Sequence, residues 1–323
     1  MAQLLRVSDL RTHYFSFGGA RVVKAVDGIS FTLNEGETIG LVGESGCGKT
    51  TTCLSVVGLL PPAARIVGGG IEFAGEELTT KRPREMRRIR GRRIAMILQD
   101  PMASLNPLFS IYTQVAEPAY YHLGTRGRSL RQRVQELLRA VRIPSPAVRM
   151  REYPHQMSGG MRQRVVGAIA MAGGPKLIIA DEPTTNLDVT IQAQYLDVLK
   201  EIQQSSGVAL IFVTHNLGIV AKMCDKMAVM YAGKIVEQGA VRACFGTPGT
   251  PTREPCWARC RNSAAKSRFM RSPASRPTSP SFPRVAPSIR AVRMQWRNAR
   301  HRSPKIITLP RTGQRNAGSS SAS

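Results

Sequence analysis

The sequence predicts an α/β fold, a mostly parallel sheet with helical crossovers, interrupted by a helical insertion and followed by a tail of different character. Three observations predict it. Between residues 7 and 241, short apolar β-branched runs alternate with helix-like stretches, the pattern of strands and crossovers in a layered sheet. One such run leads straight into a glycine-rich loop, Gly43-Glu-Ser-Gly-Cys-Gly-Lys49-Thr50, with a helix-like stretch behind it. Another, at 177–180, ends in the acid pair Asp181 and Glu182.

Taken in chain order, strands are expected at 38–42, 93–98, 177–181, 210–214 and 227–231. From Gln99 to Ser158 strand signals fade and helical stretches take over, notably at 129–141, which marks an inserted helical subdomain over about 100–165. After Pro248 the chain becomes rich in Arg, Ser and Pro with little periodicity, a composition that buries too little apolar surface to order itself. The expected domains are therefore 1–248 and a separate tail, 249–323.

Charge follows the same division. The 323 residues carry a net charge of +25, but the tail alone holds 16 Lys or Arg against one acid. The longest apolar runs, such as 208–213 and 177–180, fall far short of the ~20 residues that a membrane-spanning helix requires. The first residues lack the basic, apolar and small-residue sequence of a secretory signal, so a cytoplasmic protein is expected. Six cysteines (47, 53, 224, 244, 256 and 260) show no paired metal spacing, and reduced thiols are expected.

The chemistry lies in four places. In the loop from Gly43 through Glu44, Ser45, Gly46, Cys47 and Gly48, glycines let backbone N–H groups converge on phosphate oxygens. Lys49 can neutralise β- and γ-phosphate charge, the Thr50 hydroxyl can ligate Mg²⁺, and Thr51 follows in the helix. Asp181 can hold Mg²⁺ through water, and Glu182 can polarise an attacking water. Gln99 and His215 each end an apolar strand, where the first can reach γ-phosphate through Mg²⁺ or water and the second directly. Ser158 is suited to cap a helix beginning near Gly160, leaving Gly159 and Gly160 N–H groups open to an anion. Alone, each of the last three features is an ordinary strand end or helix cap. Their order behind a phosphate-binding loop, with Ser158 preceding Asp181 by 23 residues, gives them weight.

On these residues the chain resembles the ATP-binding subunits of ABC transporters over residues 3–248. The signature matches 157–161, the Q-loop Gln99, the D-loop Thr185-Asn-Leu-Asp188 and the switch histidine His215. The stretches beginning Gln99-Asp-Pro-Met-Ala-Ser-Leu-Asn-Pro107 and Asp181-Glu-Pro-Thr-Thr-Asn-Leu-Asp are similar to the branch that imports oligopeptides and dipeptides, with nickel an alternative solute.

The resemblance implies a phosphate-loop NTPase (RecA-like) core, an antiparallel β-subdomain and a helical signature subdomain. It implies ATP and Mg²⁺ as cofactors, with Tyr14 (Phe15 competing) as the adenine-stacking aromatic and Asp188 beside nucleotide. Glu182, His215 and Lys49 are the implied catalytic residues, and Thr50, Gln99 and Asp181 the implied metal site. The implied partners are a second ATPase subunit packed head to tail, so that Ser158, Gly159 and Gly160 act in trans, two membrane permease subunits, and indirectly an external solute-binding protein. The implied location is the cytoplasmic face of the inner membrane. No nucleic acid is expected. The rival class, a nucleic-acid- or ribosome-associated ATPase of the same type, would need a long coiled coil or a second ATPase half, and neither pattern is present.

Two departures stand out: Thr50 where the branch often has Ser, and Asn216 where Asp usually follows the histidine, which removes a charge. The basic run 81–93 is expected to be a solvated helix face. After Pro248 the branch normally reads Arg-His-Pro-Tyr-Thr-Arg-Ala-Leu-Leu. Here the chain reads Gly249-Thr-Pro-Thr-Arg-Glu-Pro-Cys-Trp257, and codons shifted by one base convert one into the other. Similar shifted readings exist over 269–278 and 283–294. A frameshift near Pro248 is therefore expected, making 249–323 non-native. The alternative is a genuine basic tail for membrane or nucleic acid, and codons forbidding the shifted reading would select it.

Overall fold

The computed structural model describes residues 2–100, 104–185 and 187–245. The tail 249–323, where the frameshift is expected and where Cys256 and Cys260 fall, lies outside the described residues.

Two sheets organise the described chain. Strands β1 (Gln3–Ser16), β2 (Arg21–Asn34), β4 (Ala64–Phe73) and β5 (Glu76–Glu77) form an antiparallel sheet in the order β2-β1-β4-β5. The second sheet runs β10-β9-β3-β8-β7-β6. It comprises β3 (Thr38–Val42), β6 (Ile94–Ile97), β7 (Leu177–Asp181), β8 (Ala209–Thr214), β9 (Lys226–Tyr231) and β10 (Lys234–Ala240). Its strands pair in parallel except β10, which returns antiparallel along β9.

Every residue of β3, β7 and β8 is buried, as expected of parallel strands covered on both faces. Alternate side chains of β7 divide between two cores. Ile178 and Ala180 join the cluster that includes Val134 and Leu138, whereas Leu177 and Ile179 join the cluster that includes Leu5, Phe31 and Phe73 of the antiparallel sheet.

Helix α1 (Lys49–Val57) leaves the loop after β3, and α2 (Pro83–Ile89) precedes β6. The insertion holds α3 (Ile111–Leu123), α4 (Gly127–Ala140) and α5 (Pro146–Arg149). In α4, Leu130, Val134, Leu137 and Leu138 fall on one face and are buried, the spacing that drives an amphipathic helix onto its neighbours. Ser110 starts α3 by accepting the Thr113 N–H at 3.3 Å. Then come α6 (Gly159–Ala172), α7 (Val189–Ser206), α8 (Leu217–Met223) and α9 (Val241–Phe245). Helix α6 packs on β6 and runs to Ala172, beyond the expected end of the insertion near 165.

The basic run 81–93 is only partly a solvated face. Arg82, Arg84, Arg87 and Arg88 are exposed, but Lys81 and Arg93 both pair with Glu76, at 2.8 and 2.6 Å. Arg90 donates to Val57 O and Gly58 O at the end of α1, at 2.6 and 2.5 Å, and Arg92 donates to Gly173 O at 3.1 Å. Guanidinium groups at a helix C-terminus satisfy carbonyls that lack intrahelical partners. Cys47, Cys53, Cys224 and Cys244 are free thiols. Burial, with Asp181 second, pushes the Cys53 thiol well up, and burial pushes Cys224 up to about 12, which keeps both protonated and inert. Among the described residues no helix is long and apolar enough to cross a membrane.

Candidate active site

The site is built where β3, β7 and β8 end side by side. Val42 is in register with Thr214 and Asp181 with Val213, so the loop after β3, the acid pair and His215 emerge at one edge of the sheet. Ligands of open α/β sheets collect at this carboxyl edge.

The chain between Val42 and Lys49 can turn back on itself only because of its glycines. Gly48 has φ 106°, and a Cβ there would lie 2.2 Å from Ala25 O; one on Gly43 would lie 2.3 Å from Met230 O. Lys49 is 4% exposed, and its Nζ donates to Gly43 O and Glu44 O, both at 2.8 Å, with Cys47 Sγ at 3.8 Å. The loop thus curls around its own ammonium group. Beside it opens a cavity of about 180 Å³, lined by Ala25, Ser45, Gly46, Gly48, Lys49, Thr50, Thr51, Gln99 and Glu182. Nothing stands within 4 Å of a Cβ built on Gly46, so a ligand can approach the backbone there.

Asp181 lies at the end of β7, 4% exposed. Desolvation raises its pKa, the Thr50 hydroxyl bonded to it lowers it, Glu182 raises it and Lys49 lowers it; desolvation is the largest cause. Among the described residues, its buried Oδ1 has no hydrogen-bond partner. An acceptor-only oxygen stranded beside a hydroxyl, next to a cavity, fits a hard oxygen-seeking cation such as Mg²⁺.

Glu182 takes φ 46°, a left-handed conformation that costs a non-glycine residue energy, and its N–H donates to Val213 O at 3.1 Å. The turn aims its carboxylate into the cavity. Glu182 Oε2 accepts from Thr185 Oγ1 at 3.1 Å and Gln99 Nε2 at 3.4 Å, and His215 Nδ1 stands 3.7 Å away. Three separate segments, at Gln99, at 182–185 and at His215, therefore meet at one oxygen. Asn216, where a charge was expected, accepts the Gly218 N–H at 2.9 Å and caps α8, so the missing charge leaves the cap intact.

Tyr14, on β1, reaches Thr51 Oγ1 with its hydroxyl at 3.4 Å, which brings it to the loop helix. Its competitor Phe15 carries the Arg65 guanidinium over its ring at 4.2 Å. Ser158 caps α6 by accepting the Met161 N–H at 3.4 Å, and Asp188 caps α7 by accepting the Ile191 N–H at 3.0 Å. A Cβ on Gly160 would lie 2.6 Å from Ile191 Cγ2, so the two helix starts are in contact. Ser158, Gly159, Gly160 and Asp188 are absent from the described lining of the cavity. The structure thus gathers two groups: the loop, Gln99, Asp181, Glu182 and His215 in one, and the starts of α6 and α7 in the other. The contact of Thr185 with Glu182 had no sequence signal beyond the membership of Thr185 in the D-loop motif.

Residues 26–185 match the family described as ABC transporter. A probable peptide ABC transporter ATP-binding protein of Sinorhizobium fredii is 48% identical over 249 residues, 77% of this chain and 74% of that one. This chain belongs to the ABC transporter ATP-binding proteins. The dipeptide transport ATP-binding protein DppD of Bacillus subtilis, another member, is 47% identical over 252 residues, 78% of this chain and 75% of its own length. The ABC fold is shared with an ATP-binding cassette solved as a dimer in a post-hydrolysis state with ADP and phosphate. That cassette has a TM-score of 0.66 at 23% identity, covering 74% of this chain and 99% of that one.

Proposed function

We propose that the chain is the ATP-hydrolysing subunit of an importer for dipeptides or oligopeptides, acting on the cytoplasmic face of the membrane through separate permease subunits. The observation that carries hydrolysis is the convergence on Glu182 Oε2 beside the Lys49 loop. The peptide assignment is supported by the names of the relatives in two organisms.

In this reading Tyr14 stacks on adenine, and N–H groups of the loop from Gly43 to Thr51 cradle the phosphates. Lys49 exchanges its two carbonyl acceptors for phosphate oxygens. Thr50, Asp181 and Gln99 would hold Mg²⁺, which supplies charge neutralisation on the phosphates. Glu182 orients and polarises water for attack on the γ-phosphorus; the water–phosphorus bond forms as the bridging bond to ADP breaks, and the water proton passes to Glu182. His215 donates to a γ-phosphate oxygen.

Ser158, Gly159, Gly160 and Asp188 serve the nucleotide of a second subunit, a reading supported by the grouping of the α6 and α7 starts with each other rather than with the Glu182 cluster. ATP then closes the pair and hydrolysis reopens it. An apolar groove of about 280 Å³ includes Leu59, Met96, Leu98 and Pro118 in its lining, with Leu59 50% and Leu98 45% exposed. Large apolar side chains left in the open mark a partner surface, and Leu98 adjoins Gln99, so we assign this groove to the permease. Residues 249–323 we read as out of frame, downstream of a complete site.

The test is Glu182→Gln. Turnover should fall below detection while ATP binding persists and the ATP-bound dimer accumulates on size exclusion. Wild-type turnover in that variant refutes the assignment.

A further inference from the structure

We propose that Thr185 is a positioning residue for hydrolysis: its hydroxyl donates to Glu182 Oε2 and sets the orientation of the carboxylate that acts on water. The inference rests on Glu182 as the hydrolytic base.

The backbone of Glu182 is fixed by its φ of 46° and its bond to Val213 O, which leaves side-chain rotation as its remaining freedom. Three groups stand around the rotating carboxylate. Gln99 Nε2 at 3.4 Å is a long hydrogen bond, and His215 Nδ1 at 3.7 Å is beyond one. Both also have duties toward metal or γ-phosphate in the proposed reaction, so both would turn from Glu182 when nucleotide arrives. Thr185 Oγ1, at 3.1 Å, is the nearest of the three and the one with no duty toward nucleotide. It bonds Oε2 and leaves Oε1 for water.

Thr185 is well placed to hold that orientation. It is β-branched and stiff about χ1. Its N–H donates to Glu182 O at 3.3 Å, and its hydroxyl also lies 3.3 Å from that carbonyl, which closes a tight turn on the glutamate. Behind it, Thr184 Oγ1 accepts from Gln192 Nε2 at 2.8 Å and Thr184 O accepts the Leu187 N–H at 3.2 Å. The turn is thereby tied to the first residues of α7, whose cap is Asp188. Since Asp188 faces the partner in the proposed dimer, movement of the α7 start on closure reaches the base through Thr185.

The experiment is steady-state ATP hydrolysis by the full chain with Thr185→Val, Thr185→Ser and Glu182→Gln side by side. A hydrogen bond to a charged acceptor is worth enough that Thr185→Val should lower kcat by about tenfold or more. KM for ATP should stay within about twofold, because the hydroxyl touches neither the loop nor the phosphates. Thr185→Ser, which keeps the hydroxyl, should recover most of kcat. Should valine disturb the turn, seen as a lowered melting temperature, Thr185→Ala makes the same deletion without a methyl in the hydroxyl's place. The inference is overturned if Glu182→Gln is inactive yet the deletion keeps wild-type kcat, if the loss falls equally on kcat and KM, or if serine is as slow as valine. Wild-type turnover by Glu182→Gln would instead overturn the role of Glu182.

Discussion

Asp181 and Gly48 show two ways in which a single residue pays for readiness to bind. Asp181 is taken out of water, and its Oδ1 finds no hydrogen-bond partner among the described residues. Its pKa is raised above the ordinary 3.8, chiefly by desolvation, so ionisation is harder folded than unfolded. A carboxyl of that kind binds protons more tightly in the native state. It therefore subtracts stability as pH rises past its unfolded value, and the deficit persists at neutral pH. Asp181→Asn should raise the melting temperature in EDTA without nucleotide, and should abolish the further rise that Mg²⁺ with ATP gives the wild type; a lowered melting temperature in EDTA would contradict this. Gly48 is constrained by geometry. With φ 106° and Ala25 O only 2.2 Å from where a Cβ would stand, Gly48→Ala must displace the loop that surrounds Lys49. Nucleotide affinity measured by calorimetry should fall at least about a hundredfold, the equivalent of ~3 kcal/mol of lost loop geometry.

The elements that bear the site were those most legible in the sequence. Strands β3, β7 and β8 are buried on both faces, so they read as unbroken apolar runs, and each ends beside a residue whose chemistry marks it. Strands β4 and β10 were not legible one by one. Their residues are mostly half-exposed or exposed, and Val67 to Gly70 in β4 is glycine-rich, so only partners distant in sequence make them strands. The contact between α6 and α7 was equally hidden, since it joins residues 31 apart through a glycine without a side chain. That contact makes the two helix starts one unit: Gly160 admits Ile191, and further along Arg164 Nη2 donates to Gln194 Oε1 at 2.9 Å. Gly160→Ala would press a methyl to 2.6 Å from Ile191 Cγ2, an overpacking that typically costs ~1–3 kcal/mol. ATP-dependent dimerisation should weaken while nucleotide binding by the monomer is unchanged. Adding Ile191→Ala should restore dimerisation in part, and no recovery in the double variant would show that the glycine serves the partner's nucleotide rather than this packing.

Across the whole molecule, charge is divided unevenly along the chain. Every buried apolar side chain among the described residues lies between Leu4 and Val241, and every residue assigned to the site lies between Tyr14 and His215. The tail that begins at Gly249 holds 16 of the 46 Lys and Arg, so it sets much of the net charge of +25. What the sequence left illegible at this scale was the approach of Gln99 and His215 to the oxygen that Glu182 shares with Thr185, because it arises from the register of neighbouring strands rather than from any local pattern. The division leads to the last prediction. A chain ending at Pro248 should melt within a few degrees of the full chain, bind ATP with the same affinity, and keep the same kcat, since every described core residue and every residue assigned to the site is kept. It should also lose most salt-sensitive retention on anionic vesicles or nucleic acid, because each basic residue contributes roughly 1 kcal/mol near an anionic surface. Resequencing the gene supplies the independent check. Codons permitting the shifted frame at 249–257, 269–278 and 283–294 together would make that retention a by-product of a misread end. A codon that forbids the shift, combined with lost turnover on truncation, would make the basic tail a working part of the protein.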